Sequence, residues 1–192
     1  MSEINEEMLN EVKKSAPYVL AAAVLFAGYH GIKNYRASSR EAASAALTQT
    51  YAVEDMEEAV SKYGDSQAGC ALKIKLAKKY YDAERYEEAL ALYDELCGSA
   101  DAAFADIPQA GRAQTLEAMG RTDDAMKAYT DFVAENPQSY LALTANLGIV
   151  RCMAKTDKPG ALAKLAELKD TVKDDAASVA RVDALKETIE RL

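Results

Sequence analysis

Residues 87–96 read EEALALYDEL, and the pattern returns 36 positions further on as DDAMKAYTDF (residues 123–132) and again as PGALAKLAEL (residues 159–168). Each copy carries three apolar residues at offsets of four and three, which places them on one face of an α-helix. The three sets are Ala89, Tyr93 and Leu96; Ala125, Tyr129 and Phe132; and Ala161, Leu165 and Leu168. An apolar face that recurs at a fixed period predicts helices stacked in series.

A second helix precedes each copy, at about residues 72–81, 107–119 and 140–153. Between the paired helices lie turns at residues 82–85, 120–122 and 155–160, and Thr122 is the expected N-cap of the helix that follows it. A last apolar face, at about residues 175–192, predicts a helix that covers the end of the stack. The chain is rich in Ala, Leu, Glu and Lys, with 9 Gly and 4 Pro, which favours an all-α fold. We therefore expect about three helix pairs and a capping helix over residues 67–192.

This arrangement resembles the tetratricopeptide repeat, in which helix pairs of about 34 residues form an α-solenoid. The first copy matches best, with Leu76, Ala77 and Tyr80 followed by Ala89 and Tyr93. The second copy keeps Ala113, Ala125, Tyr129 and Pro137, and the third keeps Leu147, Gly148, Ala161 and Leu165. The tryptophan of the repeat is absent. The alternative is an ordinary α-helical domain in which these alanines and tyrosines only form the core.

Solenoids of helix pairs present a concave face to extended segments or to partner helices. The residues predicted to line this groove are Ile74, Lys78, Tyr81, Gln114, Glu117, Ile149 and Met153. Because they mix apolar, aromatic and polar groups without a basic cluster, the expected occupant is a helix or an unfolded apolar segment. The alternative is an ordinary solvated surface.

Residues 15–32 read SAPYVLAAAVLFAGYHGI and carry no charge, a length at the usual threshold for a transmembrane helix. We predict an acidic tail (residues 1–14), a transmembrane anchor (15–35), and a helical stalk with a return helix (36–66). A cleaved signal peptide is disfavoured because acidic residues precede the run and no cleavage site follows it. A buried core helix is disfavoured because the run is short, and an interfacial helix because the run lacks a polar face.

The residue types for common catalytic sites are scarce. His30 is the sole histidine, and the sequence contains no glycine-rich phosphate loop. We expect no catalytic, cofactor or metal site, no small-molecule substrate and no enzyme activity. A net charge of −8 disfavours nucleic acid as a partner. Cys70 and Cys97 stand equally far from the turn of their helix pair, so a disulfide is possible in an oxidising compartment, with two free thiols as the alternative.

The whole layout resembles the YfgM-like proteins of bacterial envelopes. The resemblance rests on the apolar residues 16–32, on Tyr35 and Arg36, on the alanine-rich residues 42–47 and on the repeat residues 72–96. It implies a cytoplasmic N-terminus, one span of the inner membrane and a periplasmic repeat domain. It also implies partners: subunits of the Sec translocon, a membrane-anchored periplasmic peptidyl-prolyl isomerase, and unfolded client proteins.

The function implied is that of a non-enzymatic scaffold that assists protein translocation or periplasmic chaperone handover. A scaffold for another process, such as envelope assembly or division, is the first alternative, and a catalytic accessory subunit is the second. The flanking charges do not support the implied topology. Two lysines precede the span and three basic residues (Lys33, Arg36 and Arg40) follow it, whereas positive charge normally favours the cytoplasmic side.

Overall fold

The structure, a computed structural model, describes residues 2–49, 52–64, 67–98 and 105–191. All regular secondary structure in these ranges is α-helical, which confirms the all-α prediction. The helices are α1 (Ser2–Gln49), α2 (Val53–Tyr63), α3 (Gln67–Asp82), α4 (Tyr86–Cys97), α5 (Asp106–Ala118), α6 (Thr122–Glu135), α7 (Ala142–Ala154), α8 (Lys158–Thr171) and α9 (Ala176–Arg191).

From α3 to α9 each helix packs against the next one in the chain. The first helices of successive pairs also touch, α3 with α5 and α5 with α7, and α7 in turn touches α9. Helices α3, α5 and α7 therefore form one row, and α4, α6 and α8 each pack against the helices before and after them in the chain. Serial packing of this kind is typical of an α-solenoid and is compatible with a tetratricopeptide-like repeat.

The repeated apolar residues form the core. Ala89, Tyr93 and Leu96 belong to one buried cluster between α2, α3 and α4. The second set lies in a cluster between α5, α6 and α7. The third set packs with Val182 and Ile189 of α9, although Leu168 is only partly buried. Helix α9 thus covers the apolar face that the last pair would otherwise expose.

The second helices of the first two pairs, α4 and α6, each pack a tyrosine on a glycine of the next pair's first helix. A Cβ added to Gly111 would lie less than 3.0 Å from the Tyr93 ring, and one added to Gly148 would lie equally close to the Tyr129 ring. The absence of a side chain lets each ring approach the helix backbone. These two contacts join α4 to α5 and α6 to α7, and so set how closely successive pairs stack.

The first two turns between paired helices share one backbone geometry. Glu84 and Gly120 both have positive φ, 60° and 75°, and are equivalent positions of the repeat. In both turns the next residue donates its N–H to a carbonyl five residues back, Arg85 to Tyr80 and Arg121 to Leu116. The expected N-cap was therefore wrong by one residue: the cap of α6 is Arg121, and the Thr122 hydroxyl bonds instead to the Gly120 carbonyl.

The third turn is built differently. Asp157 is the N-cap of α8, and its side chain accepts a hydrogen bond of 2.9 Å from the N–H of Gly160. An aspartate at this position satisfies one of the backbone donors left free at a helix start. The third pair thus keeps the helix–turn–helix fold of the repeat, but its turn has a different hydrogen-bonding pattern.

Helix α1 is continuous from Ser2 to Gln49, and it contacts α2 and α3. The structure describes its side chains at residues 18, 21, 23–42, 44 and 45. Every described side chain from residue 18 to residue 38 is exposed, and Val24, Leu25 and Phe26 are 69%, 74% and 66% exposed. Apolar side chains on consecutive helical positions point in directions about 100° apart, so this exposure extends over more than one face.

Within the described part of the chain, no helix has a stretch long and apolar enough to cross a membrane. The predicted anchor, residues 15–35, lies partly outside the described side chains, at residues 15–17, 19, 20 and 22. The anchor therefore stays a prediction. So do the boundaries of the acidic tail, the stalk and the repeat domain.

We predict that Gly148→Ala destabilises the repeat unit by about 1–3 kcal/mol, because the added methyl group must displace the buried Tyr129 ring. The measurement is thermal unfolding of the full chain in mild detergent, followed by circular dichroism at 222 nm. Gly98→Ala is the matched control, since a Cβ there meets no atom closer than 3.6 Å. Equal melting temperatures for the two variants would contradict the proposed packing role of Gly148.

Candidate functional site

The first helices of the three pairs line a concave groove of about 500 Å³. Helix α3 contributes Tyr81, near its C-terminus. The other residues of this inner groove come from α5, from α7 and from the turn after α7. They are Gln114, Glu117, Ala118, Thr144, Arg151 and Lys155.

Three residues predicted to line the groove, Tyr81, Gln114 and Glu117, lie there together. Lys78 lies at its edge, with Nζ 5.6 Å from the centre of the Tyr81 ring and an ion pair to Asp82. The other three residues do not line it and pack against the apolar core: Ile74, Ile149 and Met153.

A one-residue change of spacing explains why α7 presents other residues than expected. Tyr93 and Tyr129 are 36 residues apart, but the glycines that they pack on, Gly111 and Gly148, are 37 apart. If a period of 36 is assumed where the true spacing is 37, each predicted position on α7 is one residue early, or about 100° away around the helix axis. Arg151, and not a residue one position earlier, therefore occupies the place of Gln114.

Glu117 is the centre of a cluster that joins α5, α6 and α7. The Arg151 guanidinium donates Nε–H to Oε1 and Nη2–H to Oε2 of Glu117, each at 2.7 Å. The Tyr129 hydroxyl donates to Oε2 at 2.8 Å. The Glu117 side chain is 16% exposed and the Arg151 side chain 39% exposed, so water screens this pair only partly.

Both partners of Glu117 are held in one protonation state. The hydrogen bonds to Glu117 raise the pKa of Arg151 above its ordinary value, although burial opposes this effect. Burial raises the pKa of the Tyr129 phenol, and the negative charge of Glu117 raises it further. Tyr129 thus remains a neutral donor at physiological pH, and the Glu117 carboxylate is neutralised by Arg151.

Two further cations border the groove. Lys155 donates to the Thr122 hydroxyl at 3.1 Å, and Arg181 of α9 donates to the Thr144 hydroxyl at 2.9 Å. Arg151 neutralises Glu117, so the Lys155 ammonium is the one further charge among the lining residues. The lining is therefore mainly polar, with Tyr81 as its one aromatic side chain.

The sequence predicted an apolar occupant for the groove, but a polar lining does not match an apolar occupant. Hydroxyl, amide, guanidinium and ammonium groups suit the backbone and the polar side chains of an extended segment better than the apolar face of a helix. Thr144, Arg151, Lys155 and Arg181 were not predicted from the sequence. The sequence signal that could have identified the α7 face is the 37-residue spacing of Gly111 and Gly148, in place of the constant period of 36.

The described residues contain no group of three or more His, Cys, Asp or Glu side chains placed to hold a metal ion. His30 lies in α1, exposed, with its ring centre 4.2 Å from that of Phe26. The expectation that the chain lacks catalytic, cofactor and metal sites stays a prediction.

All three cysteines are free thiols in the structure. Cys70 is half-buried against the cluster between α2, α3 and α4. Cys97 is exposed and lines a shallow depression with residues of α5 and α6, such as Arg112 and Phe132. The two side chains thus have different neighbours, and the suggested Cys70–Cys97 bridge is not formed. Cys152 is buried.

Comparison with protein-family models, with curated proteins and with solved structures finds no match for this chain.

We predict that Arg151→Met destabilises the repeat unit by about 1–3 kcal/mol, because it leaves the mostly buried Glu117 carboxylate without its counter-ion. Thermal unfolding of the single variants and of Arg151→Met/Glu117→Gln measures the coupling between the two residues. We expect the double variant to lose less stability than the two single variants lose in sum.

The matched control is Arg112→Met, which removes a more exposed ion pair with Asp94. Its cost is expected to stay below about 1 kcal/mol. Additive effects at Glu117 and Arg151, or an equal cost at Arg112, would show that the cluster does not hold α5 and α7 together.

Proposed function

We propose that this protein is a membrane-tethered, non-enzymatic adaptor that binds other proteins through the inner groove of its helical repeats. The observation that carries the proposal is the exposure of apolar side chains on α1, a helix that continues into contact with the repeat unit. A helix that exposes apolar groups in several directions needs an apolar environment around it. The repeat unit attached to it offers a groove lined by polar side chains from three helices.

A lipid bilayer provides such an environment better than one partner protein does. Val24, Leu25 and Phe26 are consecutive, so together they point across about 200° of the helix circumference. A single docked helix would cover a narrower stripe than that. Residues 15–32 carry no charge, and Lys33 follows them directly. These features support residues 15–35 as a single-pass anchor.

The groove supports binding of a partner's extended, polar segment. Its side chains combine donors and acceptors from α3, α5 and α7, and the Glu117–Arg151 pair keeps two of these helices in register. Tethering to a membrane raises the local concentration of partners in the same membrane, so weak groove contacts suffice for association.

The finer proposal is assistance to protein translocation, or chaperone handover, at the Sec translocon of a bacterial inner membrane. The resemblance of the sequence to YfgM-like proteins supports this finer proposal. It places the N-terminus in the cytoplasm and the repeats in the periplasm. The alternative is a scaffold for envelope assembly or division, which would use the same anchor and the same groove.

Protease protection in spheroplasts tests the topology of a chain tagged at both ends. We expect added protease to remove the C-terminal tag while the N-terminal tag is protected, because the apolar segment separates the two compartments. The control is lysed cells, in which both tags are cleaved. A C-terminal tag that is cleaved only after lysis would place the repeats in the cytoplasm and exclude the periplasmic role.

A photo-crosslinking residue at Gln114, inside the groove, should capture a partner in intact membranes. The same residue at Lys127, an exposed position of α6, is the matched control. Mass spectrometry of the adducts identifies the partner. Translocon subunits would favour the first proposal, and components of another envelope machine would favour the alternative.

Substitution then tests whether the groove itself binds the partner. We expect Gln114→Ala/Lys155→Ala to reduce co-purification of that partner at least about fivefold, since a few central contacts dominate most interfaces. Lys127→Ala/Thr130→Ala makes the same change of charge outside the groove and should leave co-purification unchanged. Equal capture by both double variants would remove the groove from the proposal.

A further inference from the structure

Three cations lie on one side of α1, directly after the exposed apolar residues. Lys33, Arg36 and Arg40 line a single concavity of about 420 Å³ together with Tyr29 and Ile32. All five side chains are exposed. We call this set the basic face of α1.

The opposite side of the same turns carries no charge. Residues at offsets of three and seven share a helix face, so the three cations lie within about 60° of one another. Asn34, Tyr35 and Ser38 point away from them, and the Ser38 hydroxyl donates to the backbone carbonyl of Tyr35 at 3.1 Å. The positive charge is therefore confined to one face of residues 33–40, an otherwise neutral segment that we call the collar.

The charge of the basic face is not compensated within the described part of the chain. None of its three cations forms an ion pair with a described residue. Residues 15–40 contain no Asp or Glu, and the first acidic residue after them is Glu41. The chain as a whole has a net charge of −8, so this local excess of positive charge runs against the overall composition.

From this arrangement we infer that the basic face of α1 binds the phosphate headgroups of anionic phospholipids. The inference rests on the proposed anchoring of residues 15–35 in a bilayer, and it adds a lipid preference to it. Helical side chains tilt toward the N-terminus of their helix. On α1 that tilt directs Lys33, Arg36 and Arg40 back toward the end of the apolar segment, where the headgroups would lie.

The position on α1 favours lipid over an acidic protein as the occupant. Lys33 follows the uncharged run directly, and Arg40 is seven residues further, about 10 Å along the axis. The polar layer of one leaflet is roughly 5–7 Å thick. With side chains that reach back, all three cations fit within this layer, and each attracts anionic headgroups.

Quenching of a single tryptophan by brominated lipids tests this inference on the full chain. The chain has no tryptophan, so Tyr29→Trp places the only one on the basic face, and Tyr35→Trp places it on the neutral face as the matched control. Each variant is reconstituted into phosphatidylcholine vesicles with a minor fraction of phosphatidylglycerol, and either lipid is brominated in turn.

We expect phosphatidylglycerol to be enriched about three- to tenfold over phosphatidylcholine at residue 29, and not at residue 35. The enrichment should disappear in Lys33→Gln/Arg36→Gln/Arg40→Gln and at about 1 M salt, where surface charges are screened. Lys127→Gln/Lys164→Gln/Lys173→Gln removes the same charge from the repeat unit and should preserve the enrichment.

Equal quenching by both lipids at residue 29 would overturn the lipid preference and leave the membrane anchor in place. The same holds for an enrichment that survives the loss of the three cations. Absence of quenching by either brominated lipid at both positions would overturn the anchor and the lipid preference together. The failure of the further inference is thus distinguishable from the failure of the proposed function.

Discussion

The packing of a tyrosine ring on a glycine backbone one helix further along the chain sets the geometry of the repeat unit. Tyr93 lies on Gly111 and Tyr129 lies on Gly148, in both cases between consecutive helix pairs. A side chain at either glycine would push the pairs apart. Because the inner groove is formed by the first helices of the pairs, its width depends on these two contacts. The Glu117–Arg151 pair then holds the same helices together from the groove side.

The all-α fold and the core of the second helices could be predicted because the information is local. Ala125, Tyr129 and Phe132 lie on one helix face through their offsets alone, and the structure buries all three. Turn geometry was harder to predict. Glu84 adopts a positive φ that glycine adopts at the equivalent position, and a non-glycine residue gives little warning of that conformation.

The structure places the predicted α5 residues in the inner groove but brings other α7 residues there than the sequence predicted, and the reason is register. A constant period of 36 residues holds for the second helices, but the glycines of the first helices are 37 apart. One extra residue turns a helix by about 100°, which exchanges a core position for a surface position. Arg151 therefore faces Glu117 across 34 residues of sequence. No local pattern marks such a pair, because its partners belong to different helix pairs.

Charge is distributed unequally along the chain, and this bears on how the groove would be presented under the proposed anchoring. Residues 41–192 carry 18 Lys and Arg against 27 Asp and Glu, a net charge of −9. Residues 15–40 carry three basic residues and no acidic one. An anionic membrane surface would attract the collar at Lys33, Arg36 and Arg40 and repel the repeat unit. Both forces act within roughly a Debye length, about 8 Å at physiological salt. Helix α1 contacts α2 and α3, so the two opposing forces act on one connected body. An anionic surface would therefore hold the collar close while it keeps the acidic repeat unit from lying flat on the bilayer.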